Sequence, residues 1–266
     1  MQYITTIAWK NHLEEIIVNG RIARPRGKEI LEVPQKTIII NMERPVIKSK
    51  IRMLSYRFMA AEAYWILTGD DRLESIAPYN KNISVFSDNG STFFGAYGPK
   101  IMAQLPYVIS KLHSDSDSRQ AVLTIWRESP PESKDIPCTV AMFFRIVEDR
   151  LDAHVFMRSS DAWLGVPYDI FNFSMVAYYI CGSYNYDHGL RLLKPGKLYL
   201  TMASAHLYKH NLDDAKAVVK TALSVNEITE PAAPEKLYYS NPCVLLEYLK
   251  NLRDSHPGNL LRWWEI

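Results

Sequence analysis

Apolar residues recur at helical spacing from residue 3 to 18, and the segment closes at Asn19-Gly20, a pair suited to a helix end. After the basic stretch "RIARPRGKE", the run "ILEVPQKTIIINM" reads as a strand in which Pro34 must interrupt the ladder or mark an edge. Residues 49 to 68 place Ile51, Leu54, Phe58, Ala61 and Trp65 on one face of a predicted helix ended by Gly69-Asp70. The Asn-, Ser- and Gly-rich segment 78–98 reads as loop, and "VLTIW" (122–126) as a short strand before the polar loop "RESPPESKD". "CTVAMFFRIV" and "LDAHVFMRS" then flank the polar link "EDR", the pattern of an antiparallel hairpin. A helix over about 168–182, apolar nearly all round, is expected to be central. "LYLTMASAHLY" predicts another strand, and "NLDDAKAVVKTALS" a helix capped by Asn211. Strands and helices in this irregular order predict an α+β fold with a mixed sheet.

Composition narrows the class. With 266 residues, 47% of them apolar, the chain can bury one sizeable core, and no composition shift marks a linker, so a single domain over 1–266 is expected. The net charge of +2 is spread along the chain, which argues against nucleic-acid binding. Three cysteines without CxxC spacing suggest neither a disulfide framework nor a zinc cluster, and a reducing cytoplasm is the expected setting. The first twenty residues lack a cationic start and an unbroken apolar run, so no signal peptide is expected, and no later run predicts a membrane span.

Two residues carry the chemical question. Cys138, in "IPCTV", reads either as a buried structural thiol or as a nucleophile, which would need a cationic neighbourhood such as Arg119 or Arg158 could supply. Asp169, in "MRSSDAWLGVPYDIF", reads either as an acid in the first turn of a helix or as a group that faces a ligand. His206 and His210 stand four apart, a spacing seen in metal sites, but no third ligand accompanies them, and no metal is expected.

The pieces "AEAYWILTGD", "GAYG", "DSRQ", "IPC", "RSSDAWLGVPYDI" and "AHLY", in this order across residues 20 to 220, closely resemble the thymidylate synthase superfamily. The resemblance implies the thymidylate synthase-like fold, a mixed sheet packed with helices whose open face forms a homodimer interface. It further implies one-carbon transfer from 5,10-methylenetetrahydrofolate to C5 of a pyrimidine nucleotide. On that pattern Cys138 is the nucleophile toward C6, a soft thiolate that can later leave. Glu62 handles protons and orders water, and Tyr97 is the active-site tyrosine. Arg158 and Ser159 hold the 5'-phosphate, with Arg24 and Arg26 as equal candidates for an N-terminal contact. Arg119 reaches the phosphate bound by the partner subunit. His206 and Tyr208 bond the sugar 3'-hydroxyl, Asp161 bonds the pterin, and Leu164, Gly165 and Tyr168 wall its pocket. Ile266 ends a tail that acts either as a lid over the ligands or in plain packing.

Several positions depart from the synthase pattern. The second of the two partner-reaching arginines is Gln120, Thr139 replaces the histidine after the cysteine, and Met157 replaces a glutamine. Aspartate stands at 169 in place of asparagine; an ionised carboxylate matches the donors of a cytosine edge and meets O4 of uracil without a hydrogen between them. These changes resemble the deoxycytidylate hydroxymethylases of the superfamily and imply dCMP as substrate. Phe86 aligns with a tryptophan that shields the one-carbon intermediate in synthases, and the smaller, wetter surround implies that water adds to give 5-hydroxymethyl-dCMP. CMP hydroxymethylation, dCMP methylation and a catalytically inactive nucleotide- or RNA-binding relative stay open as alternatives.

Overall fold

The computed structural model describes residues 4–188, 192–229 and 232–255. The N-terminal helix α1 (Thr5–Asn19) ends against Gly20, as its spacing predicts. It is followed by β1 (Arg21–Ala23) and β2 (Ile30–Asn41). Pro34 lies within β2, past the three-residue pairing with β1, so its missing N–H falls on the open edge. The predicted helix 49–68 is shorter: α2 spans Tyr56–Leu67, because the Ser55 side chain accepts from the Phe58 amide and fixes the start there. Next come the short helix α3 (Leu73–Ile76), the loop residues with a 3-10 turn over Lys81–Phe86, and α4 (Gly98–Ser114). β3 (Val122–Thr124) precedes the hairpin of β4 (Thr139–Val147) and β5 (Arg150–Met157), whose link narrows to Glu148-Asp149 with Glu148 at φ 60°.

Two-residue β6 (Ser160–Asp161) leads into α5 (Val166–His188), which runs longer than predicted, and then into the long strand β7 (Lys194–Tyr208). The remaining helices are α6 (Leu212–Lys220), α7 (Val225–Ile228), α8 (Lys236–Tyr239) and α9 (Pro242–Asp254). Asn211 does not cap α6 with its side chain, contrary to the expectation; its Oδ1 is buried without a partner. No element was predicted over α4 or α9, although Ile101, Leu105, Val108 and Leu112, and then Leu245, Tyr248, Leu249 and Leu252, lie buried at helical spacing.

The strands form one mixed sheet in the order β1-β2-β7-β5-β4-β3, and β6 pairs with the far end of β7. Among the described residues only the β5–β7 and β6–β7 pairs are parallel. A parallel pair requires a long crossover, and α5 supplies it. Ile38, Ile40, Leu198, Leu200, Ala153, Val155, Met142 and Phe144 put one sheet face into the core against the helices. The opposite face carries Phe143, Val147 and Phe156, all more than two-fifths exposed. Arg145 and the stacked rings of His154 and Tyr199, 4.4 Å apart, occupy the same face.

Two buried hydrogen bonds fix the crossover helix and the segment leading into it. Tyr178 of α5 donates to the carbonyl of Met42, just past β2, at 2.6 Å. Trp9 of α1 donates to the carbonyl of Ala162, after β6, at 2.7 Å, and its ring packs on Trp163. Because α5 begins immediately after that segment, these anchors set where its first turn faces. Among the described residues no helix is long and apolar enough to cross a membrane. Tyr178→Phe keeps the ring and strands the Met42 carbonyl, so denaturant unfolding should show a loss of about 1–3 kcal/mol; an unchanged midpoint would show that the bond does not anchor the helix.

Candidate active site

The site is built where the ends of β4, β5 and β6 meet the start of α5 and the middle of α2. Cys138 immediately precedes β4, half-buried. The strand pairing carries Arg158 back beside it, and the Arg158 amide donates to the Cys138 carbonyl at 2.9 Å. The Arg158 guanidinium donates to the carbonyls of Pro137 and Ile136 at 3.0 and 2.9 Å and to the Ser159 hydroxyl at 3.2 Å. Ser159 in turn donates to the Cys138 sulfur at 3.7 Å. Burial pushes the thiol up from its ordinary 9.0, while Arg158 and the Ser159 bond pull it down. The cationic neighbour is present, and burial outweighs it in the free protein.

Thr139 fixes the next wall. Its amide and hydroxyl both donate to the Tyr97 hydroxyl, at 3.2 and 3.0 Å, and Tyr97 stacks parallel to Phe173 of α5. Burial, then the charges of Asp169 and Cys138, keeps Tyr97 a neutral phenol. Across from it, Glu62 of α2 accepts from the Asn172 side-chain amide at 2.7 Å, and burial pushes its carboxyl up to about 7.

Asp169 lies in the first turn of α5, and its amide donates to the Gly165 carbonyl as any helical amide would. Its carboxyl, however, faces Glu62, Ser160 and Asp161. Burial first, and the charge of Glu62 second, push it up to about 8, and contact with the Ser160 hydroxyl opposes the shift. The helix-end reading fails on this surround, because an acid stabilised by free first-turn amides would shift down. Burial and the neighbouring Glu62 thus favour the protonated carboxyl over the ionised form on which the base argument relied.

Asp161 on β6 uses Oδ1 to accept from the amides of Trp163 and Leu164, at 2.8 and 2.9 Å. Its Oδ2 is buried without a partner. Its β7 neighbour in the ladder is His206, whose Nδ1 is likewise buried and unpartnered. Tyr208 stands edge-on to His206 and stacks on His210. The Tyr168 hydroxyl accepts from the Ser55 amide, tying the start of α5 to α2. Gly165 sits so close to Asp161 and Asp169 that a Cβ would fall 3.3 Å from an oxygen of each. Leu164 and Phe86 are about half exposed.

Other sequence candidates are not gathered here. Arg24 is committed to Glu29 at 2.7 Å on an exposed surface, and Arg26, at φ 51°, is exposed as well. Arg119 and Gln120 lie exposed in the turn between α4 and β3. Ile266 lies outside the described residues. Two polar residues that the sequence reading did not single out do join the site: Ser160, and Asn172, three residues after Asp169 on the same helix face. Among the described residues no group of three or more His, Cys, Asp or Glu stands close enough to hold a metal ion.

The crossover helix thus brings a buried acid within electrostatic reach of a thiol at a strand end. The thymidylate synthase family model matches residues 7–230, and the chain belongs to that family. It is 31% identical over 175 residues to the deoxyuridylate hydroxymethyltransferase of Bacillus phage SP01, covering 58% of this chain and 45% of that protein. With the protein of the same description from Pseudomonas phage M6 it shares 29% over 188 residues, 67% of this chain and 51% of the relative. Thymidylate synthase of Buchnera aphidicola is 23% identical over 193 residues, 66% of this chain and 69% of that enzyme. The chain thus spans about half the length of the two phage relatives.

The thiol balance can be checked in a Cys243→Ser background, since Cys181 is fully buried. Iodoacetamide labelling of Cys138 should inflect above 9.0, and Arg158→Met should raise the inflection further. An inflection well below 9.0 in the parent chain would contradict the dominance of burial.

Proposed function

We propose that this chain, as a single catalytic domain, transfers a one-carbon unit from 5,10-methylenetetrahydrofolate to C5 of dCMP with addition of water, giving 5-hydroxymethyl-dCMP and tetrahydrofolate. The observation that carries the reading is the buried carboxyl of Asp169, whose proton desolvation favours, held within electrostatic reach of Cys138 and Tyr97. A neutral acid presents O–H and C=O side by side, which pairs with N3 and the 4-amino group of cytosine. As the Cys138 thiolate bonds to C6, negative charge develops on N3, and the Asp169 proton passes there. The donor that must be neutral to act is thus supplied by desolvation. C5 then carries the electron pair that takes up the one-carbon unit.

Glu62 and Tyr97 flank the ring and order the water through which the C5 proton leaves. Loss of tetrahydrofolate leaves a methylene at C5. Water adds to it with loss of a proton to Glu62, the electron pair returned to the ring re-forms the C5–C6 double bond as the C6–S bond breaks, and N3 returns its proton to Asp169. The folate supplies carbon at the oxidation level of formaldehyde. The buried, unpartnered Asp161 Oδ2 fits an N–H donor of the pterin, with Leu164, Gly165, Tyr168 and Phe86 as walls. His206 and Tyr208 fit the sugar hydroxyl.

The phosphate falls to Arg158 and Ser159. Three of the five guanidinium donors of Arg158 are already bonded within the chain, so the phosphate needs further cations. Arg119 of the partner subunit supplies one, in a homodimer closed through the exposed sheet face of Phe143, Val147 and Phe156.

A second reading, dUMP as substrate, is favoured by the phage relatives and by the same neutral acid, whose O–H also fits uracil O4. Tritium release from [5-³H]dCMP, [5-³H]CMP and [5-³H]dUMP decides between them, with dCMP expected to lead. Release from dUMP alone would end the cytosine reading, and release from none would end the enzymatic one. Cys138→Ser should cut release by about a thousandfold or more. Release should also fall as pH rises through about 8, where Asp169 loses its proton. Asp169→Asn should remove that fall and shift preference toward dUMP by about 10²-fold; an unchanged preference would mean that other groups read the base.

A further inference from the structure

Asn172 is buried in α5 beside Ile170, Phe171, Phe173, Met175, Val176 and Ala177, and unlike Ser174 and Asn185, the other buried polar residues of that helix, it is not fully bonded within the chain. It is only 5% exposed, so its amide has been withdrawn from bulk water. One side of that amide is satisfied: Nδ2 donates to Glu62 Oε2 at 2.7 Å. The other is not, since Oδ1 is buried and has no partner in the chain. An acceptor left in that state costs about 1–3 kcal/mol, and buried polar groups of this kind are commonly met by an ordered water or a ligand.

We propose that Asn172 is a positioning residue: its Nδ2 fixes the direction of the Glu62 carboxyl, and its Oδ1, with Glu62, seats the water that adds to the one-carbon unit. The inference rests on the hydroxymethylation reading above and says which residue makes water the reactant. A water that donates one hydrogen to Asn172 Oδ1 and the other to Glu62 turns a lone pair outward. When its oxygen bonds to the methylene carbon, the proton on the Glu62 side passes to that carboxylate. The methylene double bond returns its electron pair to the ring, and the thiolate of Cys138 leaves as C5–C6 closes. Nothing further is oxidised or reduced.

The position in the fold favours this role over simple packing. Asn172 follows Asp169 by three residues, so both project from the same face of α5. The two share Glu62 as a neighbour: it accepts the bond from Asn172, and its charge acts on Asp169. The helix that reads the base therefore also carries the acceptor for the water. The bond from Asn172 also holds Glu62 lower than burial alone would, which favours the carboxylate able to take a proton near neutrality.

The test compares wild type with Asn172→Leu, which keeps the volume and removes both polar ends, and with Asn172→Ala as a second variant should the first fold poorly. Two quantities are read: tritium released from C5, which reports steps before water addition, and hydroxymethylated nucleotide measured by mass. The variants should lose about tenfold or more in hydroxymethyl product per tritium released, on the scale of one hydrogen-bond partner removed. An added thiol such as 2-mercaptoethanol should capture the methylene as a thioether in the variants. The pH limb that follows Glu62 should move upward. An unchanged product-to-tritium ratio, or a parallel fall of both without thioether, would overturn the role of Asn172 while leaving hydroxymethylation intact in the wild type. Wild-type enzyme that yields only methylated nucleotide would instead remove the hydroxymethylation reading, and the inference with it.

Discussion

The structure turns on two carboxyls, Glu62 and Asp169, held out of water at the junction of α2 and α5 with few protein donors to charge them. Burial drives both upward, to about 7 and about 8, and the charge of Glu62 raises the cost of ionising Asp169 further. An uncompensated pair of this kind works against folding, so the surrounding scaffold has to hold it in place. The anchors are identifiable: Tyr178 to Met42, Trp9 to Ala162, and Ser55 to Tyr168. They lie on α1, the start of α2, α5 and the segments just beyond β2 and β6, so these elements together brace the first turn of α5.

The mixed sheet gives the same junction its other half. The parallel β5–β7 pair requires a crossover, and the crossover helix starts within a few residues of the strand end that holds Arg158 and Ser159. Antiparallel pairing of β4 with β5 returns the chain so that Cys138 meets them, and Thr139 hands the position on to Tyr97. Groups from four separated stretches of sequence thereby converge, with most of the precision supplied by backbone ladders and comparatively little by loops. Leu164, in the loop between β6 and α5, is about half exposed.

Much of this was legible in the chain. The hairpin, the central apolar helix and the terminal strand followed from period and composition, and the superfamily pattern located Cys138, Glu62, Asp161 and Asp169 in order. What escaped has physical reasons. The helix Gly98–Ser114 contains Pro106, which argues against a helix interior, yet Ile101, Leu105, Val108 and Leu112 bury one face strongly enough to carry it. The start of α2 moved to Tyr56 because a single Ser55 hydroxyl decided it. Asn172 was passed over because one amide in an apolar run looks like tolerated noise, and only three-dimensional burial shows that half of it lacks a partner. Likewise, the ionisation state of Asp169 depends on how close Glu62 comes, which the order of residues does not encode.

That last point changes the logic of base recognition. Substituting aspartate for asparagine suggests a fixed negative charge, and a fixed charge would separate cytosine from uracil outright. A carboxyl whose proton is retained by burial is a different instrument, since its O–H and C=O can pair with either edge in the ground state. On the proposed reading, discrimination then moves from the ground state to the step in which sulfur bonds to C6. There cytosine places new charge on N3, the ring atom facing the acid, and the proton can cross to neutralise it. Uracil already carries a hydrogen at N3 and places its new charge on O4. An amide at the same position could pair with both edges as well, but it could not release a proton to either. On that reading the acid selects a substrate by what happens to its charge during reaction, with desolvation by the α2–α5 junction as the physical cause.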